Sequence, residues 1–219
     1  MVTYKIHLIR TGSTSDGMWK RYVGQSDVPL CQQGIENLES LKEDYQYPLV
    51  ERIYSSPLSR CTETAAIIYP ERDVVLVDDL MDMHLGEFEG KSFDELRNSA
   101  AFNNWIKNSF EHTPPGGEKT VDFTERIIHA VSDIFAEMMQ DQLRSVAVVT
   151  HGGVIMTLLA AIGLPKLPIH QWSVRNGSGY TIQMTPQMWM RDRAAEVFSH
   201  VPTPKVEDEM DVYDLYYNK

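Results

Sequence analysis

Side chains alternate between sheet-facing and solvent-facing types over residues 4 to 9, "YKIHLI", and this period of two predicts a first strand running into a polar loop. The period then changes. In "GIENLESLKEDY", Ile35, Leu38 and Leu41 fall at helical spacing, while "RIYSSPLSRCTETAAIIY" reads as a short strand, a capped turn and a second helix. Ser56 is the predicted N-cap of that helix and Pro57 its first residue. "DVVLVDDL" reads as a third strand. "DFTERIIHAVSDIFAEMMQ" repeats apolar residues at i, i+3, i+4 and i+7, which predicts a long amphipathic helix, and "SVAVVT" after it has the apolar run of a buried strand. After "HGG", the stretch "VIMTLLAAIGL" predicts an apolar helix ending near Gly163 and Pro165, and "GYTIQM" and "AEVFSHV" read as closing strands. Between Leu85 and Glu118 the pattern breaks into short amphipathic pieces and a "TPPGGE" turn, as expected of a segment that covers a site. Within it, Phe102, Trp105 and Phe110 recur near helical spacing and read as local core.

Strands alternating with helices predict an α/β protein, a three-layer α/β/α sandwich with a largely parallel central sheet. Ligands of such sheets sit beyond the carboxyl ends of the strands. With 219 residues, 42% of them hydrophobic, the chain can bury one substantial core. A single domain is expected over residues 1–201, with the covering segment at 85–118 and an acidic, loosely ordered tail at 202–219.

A net charge of −11 argues against nucleic acid or an anionic membrane as partner, so any anion site must be local. The first residues lack the features of a signal peptide and no apolar run is long enough to span a bilayer, so a soluble cytoplasmic protein, monomer or homodimer, is expected. Cys31 and Cys61 fit neither a disulfide framework nor a metal motif and read as packing residues. His7 reads as a core histidine. His112, His129, His170 and His200 show no ligand spacing, so no metal site is expected.

Three predicted strands each deliver a cationic or potentially cationic residue near the carboxyl end: Arg10 after "HLI", Arg60 in "RIYSSPLSR" and His151 after "VAVVT". Converging, they would form an anion pocket, because the fork of donors on arginine matches phosphate oxygens. Gly12, Gly152 and Gly153 would let the backbone approach, and the helix starting at Gly152 would add its amino end.

Six segments in order, "LIRTGST", "YVGQSDVPLCQQG", "YSSPLSRCTETA", "DDLMDMHLGEFEG", "PPGGE" and "VVTHGG", resemble the successive motifs of the histidine phosphatase superfamily in its phosphoglycerate-mutase-like branch, over roughly residues 4 to 184. The resemblance implies a phosphohistidine mechanism without cofactor or metal. A histidine after the first arginine attacks phosphorus, two arginines and a second histidine bind the phosphoryl oxygens, and a carboxylic acid protonates the leaving alcohol. Carried over, Arg10, Arg60 and His151, with Gly12 and Gly152, bind phosphate, and Asp82 is the general acid. Arg21, Tyr22 and Glu118 match positions flanking the substrate, and His84 lies close enough to Asp82 to border the pocket. Glu87 and Glu89, also nearby, read as exposed turn carboxylates, with Glu87 kept as a substrate-side candidate.

The nucleophile position, where the resemblance calls for histidine, holds Thr11. A neutral imidazole, with an unperturbed pKa near ~6.5, attacks phosphorus and leaves a labile P–N bond, whereas a threonine hydroxyl needs an adjacent base. Gly17 stands where family members often carry asparagine. Thr11 is open to two readings, a deliberate substitution and a natural degeneration, and Gly17 favours the second. The expected protein is of phosphomonoesterase type, taking a small soluble phosphomonoester or inorganic phosphate, with turnover weakened or lost at Thr11. It looks most like the bacterial α-ribazole-phosphate phosphatase-like members. A phosphate-binding pseudophosphatase or regulator is the alternative, and a phosphoglycerate mutase is the less favoured enzyme.

Overall fold

The computed structural model describes residues 2–15 and 20–205. Its main sheet has seven strands in the order β4-β3-β5-β1-β7-β8-β6: β1 is Tyr4–Arg10, β3 Arg52–Ser55, β4 Val74–Leu76, β5 Ser145–Thr150, β6 Gly163–Leu164, β7 Gly179–Met184 and β8 Ala195–Val201. Four neighbouring pairs run parallel and two, β1–β7 and β7–β8, antiparallel. The sheet is therefore mixed but mostly parallel.

The pleat of β5 shows why three layers form. Val146 and Val148 point into one core with Ile127, Phe135 and Ile155, while Ala147 and Val149 point into the other with Leu38, Cys61 and Ala65. One face is thus covered by helices Thr120–Gln140 and Gly152–Ile162, the other by helices Gln32–Asp44 and Ser59–Ile68. Burial on both sides explains why "SVAVVT" reads as an apolar run rather than an alternation. His7, in β1, is buried and hydrogen-bonded through both ring nitrogens, to Thr181 at 2.9 Å and Ser145 at 3.0 Å. Burial, with Lys5 adding to it, lowers its pKa to about 4, so it stays neutral.

Several local expectations need correction. The helix predicted from Ser56 starts at Ser59, with an extended Leu58 before it, because the Ser56 hydroxyl is engaged with His151 instead. The third strand ends at Leu76, and a 3-10 turn at Asp78–Leu80 redirects the chain; the Thr150 hydroxyl donates to the Leu80 carbonyl at 2.8 Å and ties that turn to the end of β5. Cys31 is more than packing: its Sγ caps helix Gln32–Asp44 by accepting from the Gly34 N–H. The chain also stays attached beyond residue 202, since β9 (Thr203–Pro204) pairs with β2 (Tyr45–Gln46). Gly17 and the acidic stretch from residue 206 lie outside the described residues. Among the described residues, no helix is long and apolar enough to cross a membrane.

Candidate active site

The parallel strands β1, β3 and β5 end side by side, and the residues just past them line a cavity of about 260 Å³. Arg10 and Thr11 enter from the end of β1, Arg60 from the first turn of helix Ser59–Ile68, and His151 and Gly152 from the junction of β5 with the next helix. The three expected phosphate binders are thus brought together. Gly12 and Asp82 line the same space, as does Arg21.

Both central guanidinium groups are held by backbone. Arg10 donates through Nη1 to the Val174 carbonyl at 2.6 Å; Arg60 donates to the carbonyls of Ser26 at 2.8 Å and Gly24 at 2.6 Å and, through Nε, to His151 Nδ1 at 3.2 Å. Among the described residues, neither has a carboxylate within ion-pairing distance. Their positions are fixed by neutral acceptors, and Asp82 acts on both only from beyond ion-pair distance, which leaves their donors open to an anion. Arg10 is buried enough to lower its pKa, with Asp82 pulling the other way.

His151 is 1% exposed. Its Nδ1 accepts from Arg60, which places the ring proton on Nε2, where it is donated to Ser56 Oγ at 2.9 Å. Burial, then the positive charges of Arg60, Arg126 and Arg10, push its pKa well below the ordinary histidine value, so the ring is neutral. Beneath it lies Cys61, with Sγ 3.5 Å from Nε2; burial raises that thiol to about 12, and it stays protonated.

Asp82 sits 4.0 Å from His151 Nδ1 and keeps 20% of its side-chain surface exposed. Burial lifts its pKa to about 6, against the Met83 N–H and the charges of Arg60, Arg126 and Arg10. A carboxyl that holds its proton this close to neutrality can donate to a leaving oxygen. The neighbouring glycines make room: a Cβ on Gly153 would lie 2.7 Å from the Asp82 carboxylate, and one on Gly152 about 3.1 Å from the Arg10 guanidinium. Gly12 serves packing, since its Cβ would run into Leu38.

Thr11 is buried, and its hydroxyl is already committed. It donates to the Arg60 carbonyl at 2.8 Å and touches Thr64 Oγ1 at 3.2 Å, while Thr64 accepts from the Gly12 N–H at 2.9 Å. No carboxylate or imidazole among these contacts could take its proton.

Not every candidate faces the cavity. The Tyr22 ring packs edge-on against Phe102, at 5.2 Å between centroids, in a small cluster with Trp105, and lines no part of the cavity. Glu118 is bound by Arg126, whose Nε and Nη2 donate at 2.7 and 3.0 Å; His84 contributes backbone to this tie, and Glu87 is exposed. Glu89, expected as an exposed turn carboxylate, is a half-buried hub instead. It accepts from the backbone of Gly24, Gln25 and Leu85 and from the Ser26 hydroxyl. Burial would raise its pKa, but these bonds outweigh it and hold it below the usual carboxylate range. Glu89 thereby shapes the loop whose carbonyls hold Arg60.

Two contributors escaped the sequence reading. Arg126 donates to the carbonyls of Asp79, Met81 and Asp82 at 2.7 to 2.9 Å and so fixes the segment bearing Asp82; its sequence trace, a charge on the buried side of an amphipathic helix, was readable. Asn176 lines the cavity and donates to the Thr11 carbonyl at 2.8 Å, and nothing in the pattern marks it. The three aromatics also divide: Phe102 is fully buried, whereas Trp105 and the 70%-exposed Phe110 line a second cavity. Among the described residues, no group of three or more His, Cys, Asp or Glu is arranged to hold a metal ion.

The family model of the histidine phosphatase superfamily (branch 1) matches residues 6–196. The chain is 30% identical over 185 residues to the glucosyl-3-phosphoglycerate phosphatase of Mycolicibacterium vanbaalenii, covering 80% of each protein. It is 25% identical over 180 residues to the adenosylcobalamin/alpha-ribazole phosphatase of Salmonella typhimurium, covering 79% of this chain and 87% of that one. The fold is similar to that of the alpha-ribazole phosphatase from Shigella flexneri, with a TM-score of 0.76 over 93% of this chain and 100% of that chain at 21% identity.

Proposed function

The chain belongs to the histidine phosphatase superfamily, branch 1, and from that membership we propose that it binds the phosphoryl group of a small phosphomonoester between Arg10 and Arg60, with hydrolysis weakened or lost because Thr11 holds the nucleophile position. The observation that carries this reading is the pair of guanidiniums pinned by carbonyls, with no carboxylate in ion-pair contact among the described residues, around a cavity of about 260 Å³. A phosphate dianion entering there gains two charge-assisted forks. It would also draw a proton towards His151, whose neutrality in the free protein rests on burial and on neighbouring positive charge. Asp82 stands ready as the acid for the bridging oxygen.

Positioning and charge neutralisation carry much of phosphoryl-transfer catalysis, so slow direct attack by water is the turnover this arrangement supports. The Thr11 hydroxyl has its proton donated to the Arg60 carbonyl and no base beside it, which favours a second reading, a phosphate-ligand-binding regulator without turnover. Calorimetric titration with inorganic phosphate, paired with steady-state assay on an aryl phosphate, tests the proposal. Binding with little turnover supports it. Absence of binding rejects it, and fast turnover by the unmodified chain rejects the role given to Thr11.

A further inference from the structure

Asp82 lines two cavities. The second is a space of about 430 Å³ whose lining includes neither Arg10 nor Arg60. The boundary runs between consecutive glycines, with Gly152 lining the first cavity and Gly153 the second. If phosphorus sits between the arginines and Asp82 protonates the bridging oxygen, the organic part of the substrate extends into this second space.

Its chemistry is unlike that of the first. Trp105, Phe110, Phe123, Ala160 and Ala161 are among the residues that line it. Trp105 is held in place by rings on its inner side, with Phe88 at 5.6 Å and Phe102 at 6.1 Å between centroids. Thr120 and Thr124 spend their hydroxyl protons on the carbonyls of Ser109 and Thr120, both at 2.7 Å. Among the described residues, no lysine, arginine or histidine lines the space, and the one ionisable group there is Asp82. A carboxylate on the substrate would be buried there without a cation and beside another carboxyl, which is strongly unfavourable. An aromatic or branched apolar group would instead cover Trp105 and Phe110 and lose its contact with water.

We propose that this second cavity receives the alcohol portion of the substrate and selects phosphomonoesters of uncharged, predominantly apolar or aryl alcohols over those carrying a carboxylate. The inference rests on the phosphoryl site proposed above, and its test separates the two. Hydrolysis-resistant phosphonates permit an equilibrium measurement whatever the turnover: 1-naphthylmethylphosphonate, 3-phosphonopropionate and inorganic phosphate are titrated by calorimetry into the full chain. The aryl phosphonate is expected to bind roughly tenfold or more tighter than phosphate, as burial of an aromatic ring implies, and the carboxylated one no tighter than phosphate. Ala160→Phe, which fills the cavity, should abolish the aryl advantage and leave phosphate affinity unchanged. Phe110→Ala, at a largely exposed rim where folding is not at stake, should reduce that advantage severalfold. Phosphate that binds while the aryl compound gains nothing, or an aryl gain indifferent to both substitutions, overturns the cavity assignment alone. Failure of every compound to bind overturns the phosphoryl site and this inference with it.

Discussion

The Thr11 hydroxyl donates to the main-chain carbonyl of Arg60 at 2.8 Å, so the residue proposed for the nucleophile position is bonded to the backbone of a proposed phosphate binder. The proposed anion pocket therefore has at its centre a side chain that is occupied in hydrogen bonds to the fold. Binding and turnover become separable quantities, and each can be tested.

Inorganic phosphate should stabilise the folded protein and bind with an affinity that depends on both arginines. Arg10→Ala is expected to weaken binding roughly 10- to 100-fold, the scale of one lost charge-assisted interaction. Arg60→Ala should do the same and also lower the melting temperature, because the carbonyls of Ser26 and Gly24 lose their donor. Calorimetry and thermal unfolding, with and without phosphate, read both effects. Unchanged affinity in the two variants would place the anion elsewhere.

Asp82 should cost the free protein stability at neutral pH. Its folded pKa of about 6 lies above the value near ~4 of an unfolded carboxyl, so the folded state holds the proton more tightly. The group's contribution is therefore fully present below about pH 4 and is lost as pH rises through about 6. Asp82→Asn keeps an acceptor for the Met83 N–H and removes the buried charge, so it is expected to stabilise by up to about 3 kcal/mol at pH 7. Denaturant unfolding at pH 7 and pH 4 checks this: the gain must shrink at the lower pH, and equal gains at both would contradict the buried carboxyl.

The acid role of the same residue is tested through the leaving group. In a Thr11→His background, Asp82→Asn should slow an alkyl phosphate by about 100-fold or more and nitrophenyl phosphate far less, since nitrophenolate departs without a proton. Equal losses on the two substrates would leave Asp82 a positioning residue.

Much of the architecture was readable in advance because its signals are local. The strand β1, the apolar run of β5 and the i, i+3, i+4, i+7 repeat of helix Thr120–Gln140 each appear where the pattern put them, although β1 is buried on both faces rather than alternating. Arg10, Arg60 and His151 were legible as a set because each lies at or soon after a strand end, and neighbouring parallel strands bring their ends together. What was missed depends on distant partners. Ser56 has the sequence of a helix cap, yet its hydroxyl faces His151, which is 95 residues away. Glu89 looks like a turn carboxylate, yet gathers N–H groups of a loop more than 60 residues earlier. The split among Phe102, Trp105 and Phe110 depends on how short helices fold over the sheet's edge, which spacing alone does not convey.

Glu89 supplies a further prediction. Its depressed pKa means that its contribution is present above the unfolded carboxylate pKa and is lost as pH falls through the lower folded value. Glu89→Gln, which cannot accept all four bonds, should destabilise by about 1–3 kcal/mol at pH 7, with the deficit shrinking in acid as the wild-type carboxylate is protonated. Phosphate affinity should fall as well, because the loop that holds Arg60 loosens. A pH-independent deficit would show that the carboxylate's charge is not what closes the loop.

The most direct measurement is kcat/KM for an aryl phosphate on the unmodified chain and on Thr11→His. The substitution places an imidazole beside the proposed phosphate pocket, and supplying one essential nucleophile is expected to raise the rate by on the order of 10³-fold or more. With it should come a phosphorylated protein, trapped by acid-free quenching, that carries the label on residue 11. Fast turnover by the unmodified chain, unaltered by Thr11→His and without a phosphorylated intermediate, would contradict the account.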